Sequence, residues 1–211
     1  MKGEIHNQNS LRWHGTQRRI GITGGIASGK SSVGKFLKEV KGFPILDADV
    51  YAQEALAPDT KLTKTILKKY GDVIRDHLEK EKPTINRSAL SKIIFADLKE
   101  RIWLEKLIHP VVQERLKQEL NKRKQAPVLA LIIPLLFEAK MTAFCSEVWV
   151  VNCDEAQQFE RLMQRDRLTA REAKLKIQAQ WPLESKIHFA DIVINNKGGL
   201  EDWLPEVDKL C

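Results

Sequence analysis

The residues of this chain best suited to do chemistry are Gly24-Gly25-Ile26-Ala27-Ser28-Gly29-Lys30-Ser31, which fit the spacing G-x-x-x-x-G-K-[S/T] without a gap. Each part of that pattern has a physical reason. Glycines let the backbone curl until its amides point inward, a conformation that side chains obstruct. A helix that follows presents unpaired amides and the positive end of its dipole to an anion. Lys30 supplies a mobile cation for the outer phosphates of a nucleoside triphosphate. Ser31 offers a hydroxyl to Mg²⁺, and Ser32 beside it completes the nucleotide-binding set. The pattern points to a triphosphate with Mg²⁺. It does not by itself separate a kinase from other users of such a loop.

Further residues could act on what the loop holds. Asp47-Ala48-Asp49 follows a short apolar stretch, and in open α/β sheets ligands bind outside the carboxyl ends of strands. Asp49 could take a proton from an attacking hydroxyl or hold Mg²⁺ through water. It could equally cap a helix over residues 50–56. Spacing alone leaves both readings open. Arg161 and Arg165 stand four apart and share a helix face. Arginines on a mobile flap suit phosphoryl transfer, because closure excludes water and brings cation to the moving charge. His109 before Pro110 either breaks or bends a helix or faces a substrate. Glu138, ending Pro134-Leu135-Leu136-Phe137-Glu138, either caps or contacts a ligand.

These groups need elements to position them. Residues 19–23 read as a buried strand running into the glycine turn, and a helix is predicted over 30–38 with Val33, Phe36 and Leu37 inward. Residues 44–46 read as a second strand. From about 51 to 125 the texture is helical: Ile66, Leu67, Tyr70 and Ile74 fit one face, Leu90, Ile93, Ile94 and Leu98 another, and Leu104 to Leu120 a third. Strand character returns over 128–133, 148–151 and 192–194. Asp154…Gln157 and Thr169…Glu172 read as capping boxes that open two helices. Strands alternating with helices predict a parallel sheet covered on both faces. The segment Asn195, Asn196, Gly198, Gly199 reads as a turn.

The totals fit this plan. The chain has 211 residues, 43% hydrophobic and 30% charged, enough for one domain with an inserted lobe. The net charge is +7, and part of the excess sits at the start, where Lys2, Arg12, Arg18 and Arg19 face only Glu4. What remains is modest for a nucleic-acid binder and suits polyphosphate substrates. Three cysteines without metal-ligand spacing argue for reduced thiols and a cytoplasmic setting. No apolar run approaches membrane-spanning length. Residues 1–18 read as a polar, disordered tail.

Taken in order, these segments resemble the dephospho-coenzyme A kinase family over nearly the whole chain after the tail. The resemblance is carried by Ile22 to Ser31, by Leu46-Asp47-Ala48-Asp49, and by His109-Pro110 with Ile133 to Glu138. Arg161-Leu162-Met163-Gln164-Arg165-Asp166, Gln180, and Ala190 to Asn196 complete it. It implies an α/β P-loop three-layer sandwich over 19–208, with a five-stranded parallel sheet, a helical acceptor-binding insert about 51–125 and a helical lid about 154–182. It implies ATP and Mg²⁺, with the ribose 3′-hydroxyl of dephospho-coenzyme A as acceptor. By the same resemblance Asp49 is the base, Arg87, His109 and Glu138 lie toward the acceptor, and Gly198 lies near the donor adenine. Nucleic-acid and membrane partners are not implied, and the assembly is a monomer or small homo-oligomer. The chain departs from the family at Ala27, where glycine is usual, at Trp181-Pro182, and in the added tail.

Two rivals remain open to test. A kinase of nucleoside monophosphates would keep loop and lid, but the 51–125 stretch and Asp-Ala-Asp argue against it. A nucleotide-switched binding protein would usually carry an acidic metal ligand ending a core strand, and the stretch 128–134 has none.

Overall fold

The apolar stretch after Gln17 forms β1 (Arg18–Gly24), and its two sets of alternating side chains are both covered. The computed structural model describes residues 12–76, 84–198 and 200–211. Ile20 and Ile22 are fully buried on one side of the strand, while a Cβ on Gly21 would run into the Cys145 thiol on the other. Strand β1 is the centre of a parallel sheet whose other members are β2 (Ile45–Asp47), β3 (Val128–Ile132), β4 (Glu147–Asn152) and β5 (Ile192–Asn195). The order is β2-β3-β1-β4-β5, so the described strands make the expected five-stranded sheet. Register brings Asp47, Ile132 and Ile22 abreast, with Ile22 also opposite Trp149.

Helix α1 (Lys30–Glu39) follows the glycine turn and buries Val33, Phe36 and Leu37, as its spacing predicts. Together with α9 (Leu200–Leu210) it covers the face of Ile20, Ile22, Trp149 and Val151, where Phe36 meets Trp203 edge-on at 5.9 Å. Helices α6 (Glu155–Asp166), α7 (Ala170–Gln178) and α8 (Leu183–His188) lie between β4 and β5 in the chain. The capping box at the start of α7 is formed, with Thr169 and Glu172 bonding reciprocally. The one expected for α6 is not. Asp154 occupies the cap position with extended backbone but makes no capping bond, and Gln157 donates its amide to the Lys197 carbonyl instead.

The chain divides into two units, one of residues 1–48 and 119–211 that holds the sheet, the other of Asp49–Gln118. The second is helical, with most of α2 (Ala48–Ala55), then α3 (Lys61–Tyr70), α4 (Arg87–Ala96) and the larger part of α5 (Leu98–Lys122). Its interior gathers Ile66, Leu67, Ile74, Ile85, Leu90 and Leu104. Three details differ from the periodicity reading. Gly71, at φ 60°, ends α3 after Tyr70, so Ile74 reaches the interior through a 3-10 turn and not along the helix face. Leu98 and Val111 are exposed. Helix α5 runs through Pro110 without a break, losing only the bond that proline cannot donate.

Residues 1–11 of the expected tail, and residues 77–83, lie outside the described residues. From Arg12 to Gln17 the chain is held, contrary to the disordered reading. Trp13 donates its backbone N–H to the Cys145 carbonyl at 2.9 Å, and the Arg19 guanidinium lies 3.5 Å over its ring. Gln17 is buried and donates to the carbonyls of Arg123 and Ala126, both at 2.7 Å, and Arg12 pairs with Asp191 at 3.0 Å. Polar side chains that satisfy backbone groups stabilise this stretch, a pattern that composition does not reveal. Near the end of α5, Glu119 is paired with Lys122 and Arg123, whose hydrogen bonds hold its carboxyl down at about 2. All three cysteines are free. Burial pushes the Cys145 thiol up to about 12 and also raises that of Cys153, whereas Cys211, the last residue, is exposed.

Candidate nucleotide site

Strand β1 delivers Gly24 to the carboxyl edge of the sheet, still paired with Val151, and the chain then curls into α1. Gly29 takes φ 101°, and a Cβ there would collide with the Asn196 amide, so no side chain fits. No side chain caps α1 and no acidic residue occupies its first turn. The positive end of the helix is therefore kept for an anion rather than neutralised from within. Ser31 and Ser32 are exposed at the second and third helical positions. Ala27 sits at φ 57°, in the left-handed region where a Cβ costs roughly 1–2 kcal/mol. The departure noted at this residue is thus a strained one.

Lys30 is nearly buried, at 9% exposure. Its ammonium is folded back over the loop and donates to the Gly25 carbonyl at 2.7 Å and the Gly24 carbonyl at 3.4 Å. Phosphate oxygens compete well for such an ammonium, because a charge-assisted bond to an anion is stronger than one to a neutral carbonyl.

Three residues that sequence reasoning missed brace this loop. Asn196, buried after β5, donates its amide to the Ser28 carbonyl at 2.8 Å. Gln158, buried on α6, fills the space a Cβ on Gly25 would need. Lys186 on α8 is fully buried and pairs with Glu138 at 2.8 Å. The spacing of glycines does signal that something approaches closely, but it does not say what. The Ser28 hydroxyl is buried without a hydrogen-bond partner.

Of the two lid arginines, the structure connects one to this neighbourhood. Arg161 donates to the Gly198 carbonyl at 3.2 Å, which ties α6 to the turn carrying Asn196. Arg165 turns to Asp166 with bonds of 2.7 and 3.2 Å, and those bonds hold the Asp166 carboxyl below its usual range. Glu138 accepts from Lys186 and from the backbone N–H of Trp181 at 3.0 Å. Asp47 ends β2 two strands from β1, about 10 Å across the sheet by ordinary strand spacing.

The remaining predicted residues belong to the second unit. Asp49 is exposed in the first turn of α2, which begins at Ala48, so it lies inside the helix and does not cap it. Arg87 opens α4 behind the cap Asn86, whose side chain accepts from Ala89 N–H. His109 is half-buried midway along α5. They stand on three different helices.

Comparison with known proteins places this geometry. The dephospho-CoA kinase family model matches residues 18–202. A dephospho-CoA kinase of Prochlorococcus marinus is 51% identical over 207 residues, covering 98% of this chain and 99% of that protein. One from Synechocystis is 42% identical, covering 92% and 94%. A crystal structure from Thermus thermophilus superposes with a TM-score of 0.74 at 31% identity, over 93% of this chain and 97% of that one. The dephospho-CoA kinase of Campylobacter jejuni shares the fold, with a TM-score of 0.60 at 24% identity over 91% and 94%. The chain belongs to the dephospho-CoA kinase family.

Proposed function

We propose that this chain carries out the family's reaction by direct in-line transfer, moving the terminal phosphoryl group of ATP to the ribose 3′-hydroxyl of dephospho-coenzyme A and so completing coenzyme A. The observation that carries the donor half is the uncapped start of α1 with the Lys30 ammonium held beside it. Residues 24–32 grip the phosphates, and Lys30 exchanges its carbonyl contacts for phosphate oxygens. The Ser31 hydroxyl is a hard oxygen donor suited to Mg²⁺, which in such sites is shared with the nucleotide phosphates and would neutralise their charge.

Asp49 orients the acceptor hydroxyl and removes its proton. Its exposed carboxylate, at the start of a helix that begins where β2 ends, supports that reading. Arg161 and Arg165 neutralise the moving phosphoryl group, with the flap 154–182 closing over it. Gly198 lies toward the donor base, and Arg87 and His109 toward the acceptor. We assign Glu138 to holding Lys186 rather than to the acceptor, because both Lys186 and Trp181 N–H already engage its Oε1. The free thiols are consistent with cytoplasmic work.

The test is to incubate the protein with ATP, Mg²⁺ and a panel of acceptors, following ADP release and product mass. Transfer to dephospho-coenzyme A with a mass gain of one phosphate is expected. Transfer to a nucleoside monophosphate or shikimate in its place would sink the reading.

A further inference from the structure

We propose that Lys186, fixed by Glu138, is a positioning residue for the nucleotide loop: it keeps the Gly24 carbonyl satisfied when Lys30 leaves that carbonyl for phosphate. This rests on the reading of residues 24–32 as the ATP site.

Lys186 is the one fully buried lysine among the described residues, and α8 exposes none of it. A buried ammonium is tolerated only when its charge is paired and its donors are used. Lysine has three N–H donors. Three acceptors surround this one: Glu138 Oε1 at 2.8 Å, the Pro134 carbonyl at 3.1 Å and the Gly24 carbonyl at 3.5 Å. Burial lowers its pKa and the Glu138 carboxylate opposes that shift.

The Gly24 carbonyl is where the two lysines meet. It lies 3.4 Å from the Lys30 ammonium and 3.5 Å from that of Lys186. Two like charges on one acceptor repel, and Lys186 is tethered by its carboxylate while Lys30 has none among these contacts. The weaker-held cation is therefore Lys30, the one whose task is to move. When it moves, a buried carbonyl would lose its donor, which is unfavourable. Lys186 remains to supply one. The pair also acts as a fixed dipole with its positive end toward the loop and its negative end toward Trp181, where Glu138 accepts the backbone N–H at the junction of α7 and α8. Thr23 donates to the same Pro134 carbonyl at 3.1 Å, so the base of the loop and the end of β3 are pinned together.

A purely structural ion pair makes a different prediction, and the double variant separates the two. Lys186→Met alone leaves Glu138 buried without its cation, and its melting temperature should fall sharply. Lys186→Met/Glu138→Gln removes both charges, keeps an acceptor for Trp181 N–H, and should recover most of that loss. Its kcat and its affinity for MgATP, read by titration without acceptor, should both stay at least about tenfold below wild type, with the KM for dephospho-coenzyme A unchanged. Wild-type kcat and MgATP affinity in that variant would make Lys186 a scaffold and overturn the proposal. A raised acceptor KM in Glu138→Gln alone would also overturn it, by returning Glu138 to the acceptor. Should the double variant show no cooperative melt, Lys186→Gln/Glu138→Gln carries the same readouts, and wild-type values there count against the proposal equally. If the wild-type protein transfers phosphate to some other acceptor, the proposed function fails while the MgATP titration still decides the role of Lys186.

Discussion

The two units of this molecule hold their candidate residues in opposite ways. In the sheet-bearing unit, the loop is one contiguous stretch, and identifiable neighbours fix its backbone: Asn196 on the Ser28 carbonyl, Gln158 against Gly25, Lys186 at Gly24. In the helical unit, Asp49, Arg87 and His109 are spread over α2, α4 and α5 around an interior of Ile66, Leu67 and Leu90 that none of them joins. The contrast follows from what each half must grip. A triphosphate is held largely by backbone amides, so its site is local and is spelled in glycines. An acceptor is held by side chains, which helices can supply from distant points in the sequence.

That contrast can be broken or sharpened by substitution. The largest effect is expected for Lys30→Met, which keeps the stem and removes the charge. It should cost on the order of 10²–10³ in kcat, about 3–4 kcal/mol, by comparison with loss of one preorganised electrostatic contact. A loss of only a few-fold would detach the donor half from this loop. Asp49→Asn should lower kcat by roughly 10²–10⁴, the usual worth of a positioned base, while MgATP titrates as in wild type. Weakened nucleotide binding in that variant would blur the division between the units.

Acid should act on the first unit through Glu119. Its folded pKa, about 2, lies below the usual carboxylate value, so the pair stabilises the protein above that usual value and the contribution is lost as pH falls toward 2. Glu119→Gln should therefore flatten the acid limb of a melting curve series and leave the neutral limb lower. An unchanged acid limb would mean that Lys122 and Arg123 do not hold it in solution. The smallest effect is Ala27→Gly. Relief of the left-handed strain is partly offset by the flexibility glycine gives the unfolded chain, leaving a gain of at most about 1 kcal/mol, or roughly 2–4 °C in Tm.

How much of this could be read beforehand follows the same division. The run from Arg18 to Glu39 was legible because a buried strand, a glycine turn and an amphipathic helix each leave a period in the sequence. The sheet order and both faces followed from alternation. Helix α8 left no such mark: six residues after Trp181-Pro182 are too short for a period, and Lys186 reads like any solvated lysine until its burial is seen. The Asp154…Gln157 pattern misled because Gln157 has a better acceptor at Lys197, remote in sequence. In the helical unit the apolar spacing found the interior but not the roles, since a charge on a helix surface looks the same whether it meets solvent or substrate.

The cysteines draw one more consequence from the fold. All three lie in the sheet-bearing unit, and residues 49–118 contain none. A thiol reagent added to the native protein meets Cys211 at the surface, while Cys145, sealed beneath Gly21, and Cys153 wait for the sheet to open. The chain thus carries its own stopwatch for one unit. Labelling of the two inner thiols times the opening of the sheet and is blind to melting of the helical unit, whose sole tryptophan, Trp103, reports there instead.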